Sequence, residues 1–270
     1  MDAYRFDGLV ARAHGLVTPG GRRLLGIAGA PGAGKSTLAR RLVDRLEERH
    51  GAGTAALVAM DGFHLAQAEL ERLGRAERKG APDTFDAAGY AALLARLRAP
   101  RPGEVVYAPA FDRSIEEAVA GSVPVPPGVP LVVTEGNYLL HDDPDWSAVR
   151  PLLDEVWFLD PDPRARVARL VERHVRFGKE RSFAERWVAR SDEANARLVE
   201  AGRDRADLVL AGDVFPPAGT AGPGAEAAGG EVTERVPGHT GGDAAGAGGG
   251  AAGPGAEGGR RNSGAPEDWA

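Results

Sequence analysis

Glycines and other small residues precede a lysine and a serine at residues 29–36, where the sequence is GAPGAGKS. This spacing follows the pattern G-x-x-x-x-G-K-[ST], in which successive backbone N–H groups turn inward around a polyphosphate. The lysine ammonium of such a loop reaches the β- and γ-phosphates, and the serine hydroxyl ligates Mg²⁺. We therefore expect the phosphates of a nucleoside triphosphate to be bound by Gly29, Ala30, Pro31, Gly32, Ala33, Gly34, Lys35, Ser36 and Thr37.

The segments on either side of this loop support the same interpretation. The apolar run LLGIA at residues 24–28 predicts a buried strand, and residues 37–49 predict a helix with Leu38, Leu42 and Leu46 on one face. The loop then lies at the positive N-terminal end of a helix, which favours a bound phosphate. A chance match in a glycine-rich chain would not require this order of strand, loop and helix.

Four further apolar runs predict strands, at residues 55–60, 131–134, 155–159 and 206–210. Helical patterns lie elsewhere in the chain, at residues 85–98, 161–176 and 182–201. Continuous apolar strands separated by helices are typical of a parallel sheet covered on both faces. The predicted fold class is therefore α/β, with three layers in the order α/β/α. Residues 99–129, rich in Pro and Gly, are predicted to form an irregular excursion, where acceptor-specific loops usually lie.

Two carboxylates follow predicted strands. Asp61 comes directly after the second strand and Glu135 directly after the third. In open α/β sheets the ligand site lies beyond the carboxyl ends of the strands, so we expect both acids to converge with the phosphate loop on one crevice. Asp61 is then placed to accept a proton from an acceptor hydroxyl, and Glu135, together with Ser36, to orient Mg²⁺. The alternatives are a strand-end turn for Asp61 and an ordinary strand-terminal acid for Glu135.

Basic residues form a stripe on the predicted helix at residues 161–176. Four arginines are spaced three, four and three residues apart, which places them within an arc of about 80° on one helix face. The stripe consists of Arg166, Arg169, Arg173 and Arg176. A stripe of one sign repels itself, and a polyanion is its natural complement. The alternative is a solvated arginine face in a chain that uses arginine heavily.

Lysine is scarce in this chain, and only Lys35, Lys79 and Lys179 occur among 33 basic residues. A composition that favours arginine keeps lysine where a compact point charge is useful. Lys35 fits that interpretation. For Lys79 and Lys179, a surface position without a functional role is an equally good interpretation.

Composition and charge limit the classes of function. A formal net charge of −6 argues against a general nucleic-acid binder. The chain has no cysteine, so it has neither disulfides nor thiolate chemistry. Residues 1–12 resemble a short amphipathic helix rather than a signal peptide, and we find no apolar run of transmembrane length. We therefore expect a cytoplasmic protein without nucleic-acid or membrane partners. The oligomeric state stays open, a homodimer included.

The last part of the chain differs in composition from the rest. From residue 216 to residue 270, Gly, Ala and Pro dominate and large apolar residues are nearly absent. Such a segment cannot bury enough apolar surface to offset its ordering entropy. We predict one domain at residues 1–215 and a disordered acidic tail at residues 216–270.

Several short motifs follow the phosphate loop in a fixed order. They are DGFH at residues 61–64, TFD at 84–86, PAFDR at 109–113 and EGNY at 135–138. With this set, the chain resembles the phosphoribulokinase/uridine kinase/pantothenate kinase superfamily over residues 24–210. Within that superfamily it is most similar to a bacterial branch whose members are named fructose-transport-system, sugar-transport or nucleoside kinases.

The resemblance implies a P-loop kinase with a helical lid, in which ATP, with Mg²⁺, phosphorylates a hydroxyl of a small molecule. The acceptor would be a sugar, a nucleoside or a pantothenate-like alcohol. By position, Asp61 matches the family's catalytic aspartate, and the lid is expected to donate arginines to the phosphates. The expected catalytic residues are Lys35, Asp61, Arg169 and Arg173. The candidates for acceptor binding are His64, Asp86, Tyr107, Arg113 and Asn137.

The sequence also departs from individual members of this superfamily. Uridine kinases have no histidine where this chain has Phe63 and His64, and pantothenate kinases have a different acceptor motif. Three roles are therefore open for His64: it binds the acceptor, caps the next helix or lines the crevice. A regulatory GTPase would require an Asn-Lys-x-Asp motif, and no lysine of this chain lies in one. The other alternative is a P-loop nucleotide-binding protein without catalysis.

Overall fold

The structure is a computed structural model that describes residues 3–211, with side chains from residue 6 onward. Seven strands are present in this part of the chain: β1 Arg23–Gly29, β2 Ala55–Ala59, β3 Val106–Asp112, β4 Glu117–Val125, β5 Leu131–Gly136, β6 Glu155–Asp160 and β7 Leu208–Ala211. Five of them form a parallel sheet in the order β2-β5-β1-β6-β7. Strands β3 and β4 form a separate antiparallel hairpin.

Seven α-helices are described: α1 Ala3–Gly15, α2 Lys35–His50, α3 Gln67–Arg72, α4 Ala87–Arg98, α5 Pro163–Arg176, α6 Arg181–Trp187 and α7 Glu193–Glu200. The predicted helix at residues 182–201 corresponds to α6 and α7, joined by a π-helical segment at Val188–Asp192. Helix α5 and this segmented helix form the helical lid predicted from the sequence, with a small core of their own that includes Leu170 and Val188.

The two faces of the sheet pack against different helices. Because neighbouring residues of a strand point to opposite faces, Leu24 and Leu25 of β1 belong to different clusters. The Leu25 cluster includes buried residues of α1 and α2, while the Leu24 cluster includes buried residues of α4 and the hairpin. The predicted three-layer α/β/α fold with a parallel central sheet is therefore confirmed.

The excursion predicted to be irregular is instead mostly the β3–β4 hairpin. Pro109 in β3 and Pro124 in β4 obscure the strand pattern in the sequence. A two-stranded hairpin has only edge strands, and edge strands tolerate proline. The hairpin packs on the turn that follows β2, where an added Cβ at Gly62 would lie 2.4 Å from the carbonyl oxygen of Pro109.

Two further predictions concern the C-terminal tail and membrane-spanning helices. The predicted tail at residues 216–270 lies outside the described residues, so the division at residue 215 stays a prediction. Within residues 3–211, no helix combines the length and the apolar character needed to cross a bilayer.

The tight approach of the hairpin predicts opposite effects for two Gly→Ala substitutions. Gly62→Ala forces a methyl group against the hairpin backbone, and we expect it to lower the free energy of unfolding by about 1–3 kcal/mol. Gly8→Ala is the control and should stabilise by about 0.5–1 kcal/mol, because Gly8 lies at an exposed position of helix α1 with open space around it. Urea unfolding of both variants measures this. Equal stability of the two would show that the hairpin does not pack as described.

Candidate active site

The phosphate loop connects β1 to α2 and is held from outside by helix α5. Gly32 has φ +77°, and a Cβ added there would lie 2.6 Å from Cγ of Leu170 on α5. Both the backbone conformation and the close approach therefore require glycine. As a result, the loop and α5 form one continuous wall of the site.

Lys35 is buried at the first position of α2. Its ammonium donates hydrogen bonds to the carbonyl oxygen of Ala30, at 3.1 Å, and to Oδ1 of Asn137, at 2.7 Å. Burial lowers the pKa of Lys35 to about 8, although the negative charges of Glu135 and Asp61 oppose this shift. The lysine is thus a buried cation whose two hydrogen-bond acceptors are both neutral oxygens.

Ser36 and Glu135 meet on the other side of Lys35. The Ser36 hydroxyl donates a hydrogen bond of 2.8 Å to Oε1 of Glu135. Burial raises the pKa of Glu135, and the nearby charge of Asp61 adds to this effect, whereas Lys35 opposes it. Two hard oxygen donors are therefore held side by side at the start of α2.

Asp61 lies in the short 3₁₀ turn after β2 and faces Arg113 from the β3–β4 hairpin. One guanidinium nitrogen of Arg113 is 3.4 Å from Oδ2 of Asp61. About a third of the Asp61 side chain is exposed, so a small molecule in the cavity can reach its carboxylate. The hairpin therefore contributes one wall of the site and a cation beside the candidate base.

His64 closes the same turn. Its Nδ1 is 2.8 Å from the backbone carbonyl oxygen of Asp61, and its ring packs against the rings of Phe85 and Phe111 at centroid distances of 4.0 and 4.8 Å. Burial lowers the pKa of His64, and the neighbouring cations Lys79 and Arg113 lower it further. Of the three open roles, this geometry supports lining the crevice as a neutral ring.

The four arginines of the α5 stripe have different surroundings. Arg166 is buried and donates to the carbonyl oxygen of Pro31, at 3.2 Å, and to Glu193, at 2.6 Å. Arg169 donates to the carbonyl oxygen of Gly32 at 3.2 Å. Arg173 faces the cavity, where the surrounding protein and the charge of Arg113 lower its pKa. Sequence spacing predicted one face, but only Arg173 of the stripe lines the cavity.

These residues surround one cavity of about 330 Å³ beyond the carboxyl ends of β1, β2 and β5. The phosphate loop forms one side, the hairpin and the segment at residues 76–80 form another, and the lid forms a third. Predicted site residues that line it include Lys35, Ser36, Asp61, His64, Arg113, Glu135, Asn137 and Arg173.

The family model of the phosphoribulokinase/uridine kinase family matches residues 24–212. The chain belongs to this family. The activity of this kinase is therefore ATP-dependent phosphorylation of a hydroxyl on a small molecule, and the predicted alternative of a non-catalytic binding protein is not supported.

Individual relatives extend this result. A Schizosaccharomyces pombe protein provisionally named a uridine kinase is 36% identical over 77% of this chain and 91% of its own length. A pantothenate kinase from Brucella ovis is 27% identical over 66% of this chain and 58% of its own length. The solved structure of a Silicibacter protein, provisionally named a fructose transport system kinase, is 38% identical with a TM-score of 0.69, covering 76% of this chain and 98% of that one.

Two predicted acceptor residues of the kinase do not lie in the cavity wall. Asp86 caps helix α4, because its Oδ1 accepts a 2.7 Å hydrogen bond from the backbone N–H of Gly89. Tyr107 lies on the hairpin with 58% of its surface exposed. The structure shows Asp86 at the helix start and the Tyr107 ring exposed to solvent, so acceptor binding by these two residues stays a prediction without geometric support.

Sequence reasoning made no firm assignment for several other residues of the cavity wall. The lid adds the pair His174 and Asp192, whose side chains are 3.1 Å apart, and the other additions are Lys79, Lys179, Trp187 and Asn195. All three lysines of the chain therefore line this one cavity. The scarcity of lysine in the sequence was the available signal.

The lowered pKa of Lys35 predicts a pH-dependent affinity for nucleotide. Above about pH 8 the free protein loses the Lys35 proton, and bound phosphates raise the pKa and restore it. Binding of a non-hydrolysable ATP analogue near pH 9 should therefore take up a proton and weaken as pH rises. Calorimetry in buffers of different ionisation enthalpy measures this uptake.

Lys35→Arg is the matched control for this measurement. Arginine keeps its charge throughout this pH range, so the uptake attributed to residue 35 should disappear. Equal proton uptake in the wild type and in this variant would show that another group titrates.

Proposed function

We propose that ATP and the acceptor alcohol bind together in this cavity and that Asp61 is the general base for direct phosphoryl transfer. The observation that supports this most strongly is the position of Asp61. It lies beyond the end of β2, within the same cavity as Lys35 and the Ser36–Glu135 pair, yet on the side of the hairpin. A donor on the phosphate loop and an acceptor against the hairpin would therefore meet at this carboxylate.

On the nucleotide side, Lys35 would exchange neutral acceptors for charged ones. In the structure it donates to the carbonyl oxygen of Ala30 and to Asn137. Phosphate oxygens in the loop would replace these partners and form charge-assisted hydrogen bonds, which are stronger. Asn137 would then be released toward the acceptor, in keeping with its predicted role.

Magnesium fits the oxygen donors beside the loop. The hydroxyl of Ser36 and the carboxylate of Glu135 are the hard ligands that Mg²⁺ prefers, and a site completed by substrate phosphates requires only one or two of them. Within residues 3–211 no cluster of three or more His, Cys, Asp or Glu side chains is present that would hold a metal by itself. Bound there with ATP, Mg²⁺ would neutralise charge on the β- and γ-phosphates.

The chemical step then follows from the arrangement of side chains. The acceptor hydroxyl oxygen forms a bond to the γ-phosphorus while the bond between that phosphorus and the β–γ bridging oxygen breaks, and ADP leaves. Asp61 takes the hydroxyl proton. Lys35 and Arg173 face the charge that develops on the transferring group. Arg169 would act on catalysis through its contact with the loop at Gly32.

The class of acceptor is limited by the size and polarity of the cavity. The cavity of about 330 Å³ is lined mainly by polar and charged side chains, which suits a small polar alcohol beside the nucleotide phosphates, and the names of the similar proteins refer to uridine, pantothenate and fructose transport. We retain a sugar, a nucleoside or a pantothenate-like alcohol as the acceptor. A cytoplasmic location, where ATP is abundant, belongs to the same proposal.

The role of Asp61 predicts a large effect of Asp61→Asn on turnover. The amide preserves the shape and removes the proton acceptor, so kcat should fall about 10²-fold or more while ATP affinity stays within a few-fold. ADP release with an acceptor panel of sugars, nucleosides and pantothenate measures this.

Asp86→Asn is the matched control for the same chemical change outside the cavity. Asparagine caps a helix about as well as aspartate, so kcat should stay close to that of the wild type. If Asp86→Asn lowers kcat and Asp61→Asn does not, the assignment of the base is wrong.

The position of Arg173 predicts a selective loss of transition-state stabilisation. Arg173→Ala should cost about 2–4 kcal/mol in kcat/KM, the scale of one lost oxyanion donor, with a smaller effect on ATP binding. Arg176→Ala is the control, because Arg176 is exposed on the same helix and does not line the cavity. If the two variants have equal kinetics, the α5 stripe is only a solvated surface.

A further inference from the structure

Two lysines of the cavity are not used in the phosphoryl-transfer scheme, Lys79 and Lys179. Lys179 lies on the lid with its ammonium 4.9 Å from the ring centroid of Trp187 and 5.4 Å from that of Phe183. Lys79 lies on another wall of the cavity, in the segment that connects α3 to α4. The surroundings of Lys79 indicate what binds on the acceptor side.

The Lys79 ammonium has only neutral partners within the described part of the chain. It donates to the backbone carbonyl oxygen of Glu116, at 2.7 Å, and approaches Oε1 of Gln67 at 3.5 Å. It also lies 5.5 Å from the ring centroid of Phe111. Its hydrogen-bond acceptors among the described residues are thus a backbone carbonyl and an amide oxygen, and neither is a carboxylate.

The backbone next to Lys79 is fixed by two other residues. The carbonyl oxygen of Gly80 accepts hydrogen bonds from the Tyr138 hydroxyl, at 2.5 Å, and from the Asn195 amide, at 3.3 Å. These contacts connect the segment to the end of β5 and to the lid. The lysine is therefore held against the cavity by its own backbone rather than carried on a free surface loop.

Arg113 provides a second cation beside the same ring. Its guanidinium carbon lies 5.6 Å from the ring centroid of Phe111. Its one carboxylate partner among the described residues is Asp61, at the long distance of 3.4 Å. Lys79 and Arg113 thus place two cations around the Phe111 ring in the cavity wall, beside the carboxylate that would accept the hydroxyl proton.

We propose that the acceptor carries an anionic group, a carboxylate or a phosphate ester, which Lys79 and Arg113 bind while its hydroxyl faces Asp61. This inference rests on the proposed function. A charge-assisted hydrogen bond to such a group replaces the neutral carbonyl partner of Lys79. A neutral acceptor would leave Lys79 with neutral partners alone and Arg113 with only its long contact to Asp61. Selection against neutral alcohols therefore follows, because a site built for a polar group rejects the analogue that lacks it.

The alternative is that Lys79 only braces the hairpin turn through its bond to Glu116. Glu116 has φ +54°, so its backbone conformation needs support from its surroundings. A structural brace would change stability and would not distinguish anionic from neutral acceptors. The two interpretations therefore differ in a measurable way.

Competitive acetylation of the lysines tests anion binding directly. With a non-hydrolysable ATP analogue and Mg²⁺ bound, the acetylation rates of Lys79 and Lys179 are followed by mass spectrometry with inorganic phosphate, glycerate or glycerol at equal ionic strength. We expect phosphate or glycerate to slow acetylation of Lys79 several-fold more than that of Lys179, and glycerol to slow neither. If no anion protects Lys79, or if Lys179 is protected equally, the proposal is wrong.

Matched acceptor pairs test the same proposal by kinetics. The pairs are glycerate with glycerol, pantothenate with panthenol, and a sugar phosphate with its sugar. The first two pairs test recognition of a carboxylate, and the third tests recognition of a phosphate ester. Lys79→Gln should raise KM for the anionic acceptor about ten-fold or more, and leave KM for ATP within about two-fold. Lys79→Arg keeps the charge and should restore most of the loss. Arg101→Gln, at an exposed position outside the cavity, is the control for loss of a surface charge.

The outcomes separate this inference from the proposed function. If Lys79→Gln leaves every acceptor KM unchanged, or if the neutral member of each pair is the better substrate, the anion site is wrong. Loss of turnover in Asp61→Asn would still support phosphoryl transfer in that case. If the wild type consumes no ATP with any acceptor, the proposed acceptor class fails, and the acetylation experiment alone decides whether the cavity binds an anion.

Discussion

A buried ammonium at the start of helix α2 is the feature on which the site depends. Lys35 keeps a charge inside the protein with only a loop carbonyl and an amide oxygen as acceptors, and its pKa falls to about 8 as a consequence. The neighbouring carboxylates Glu135 and Asp61 reduce this cost without forming an ion pair with it. The phosphate oxygens of a bound nucleotide would give this ammonium charged acceptors in place of neutral ones.

The surrounding elements keep that charge in place and open to ligand. Helix α5 packs on the loop at Gly32, and its buried Arg166 connects the carbonyl oxygen of Pro31 to Glu193 at the start of α7. The lid is thereby joined to the loop by direct hydrogen bonds and packing. The hairpin approaches from the opposite side through the contact between Gly62 and Pro109. The wall on the nucleotide side is thus formed by the loop and α5, and the wall on the acceptor side by the hairpin. A change of residues in the hairpin can therefore alter acceptor binding without altering the phosphate loop.

Local patterns made the nucleotide side of this site predictable from the sequence. The loop and Asp61 directly follow apolar strands and Glu135 lies near the end of β5, so strand order alone brings them together. The acceptor side depends on contacts between segments that are distant in the sequence, so its residues were harder to predict from local patterns. Asp86 precedes a helix and caps it, a role that its position at a helix start already suggested. The helical spacing of Arg166 and Arg173 showed a shared face, but it did not show which turn of α5 meets the loop and which meets the cavity.

The proposed binding of donor and acceptor in one cavity implies direct transfer, without a phosphorylated enzyme intermediate. The configuration at phosphorus tests this claim most directly. The measurement uses ATP made chiral at the γ-phosphorus with oxygen isotopes, together with an acceptor that the kinase phosphorylates. A single in-line displacement, with Asp61 as base, predicts inversion of configuration in the product. Retention would show two successive transfers through a side chain such as Asp61, and would contradict the account.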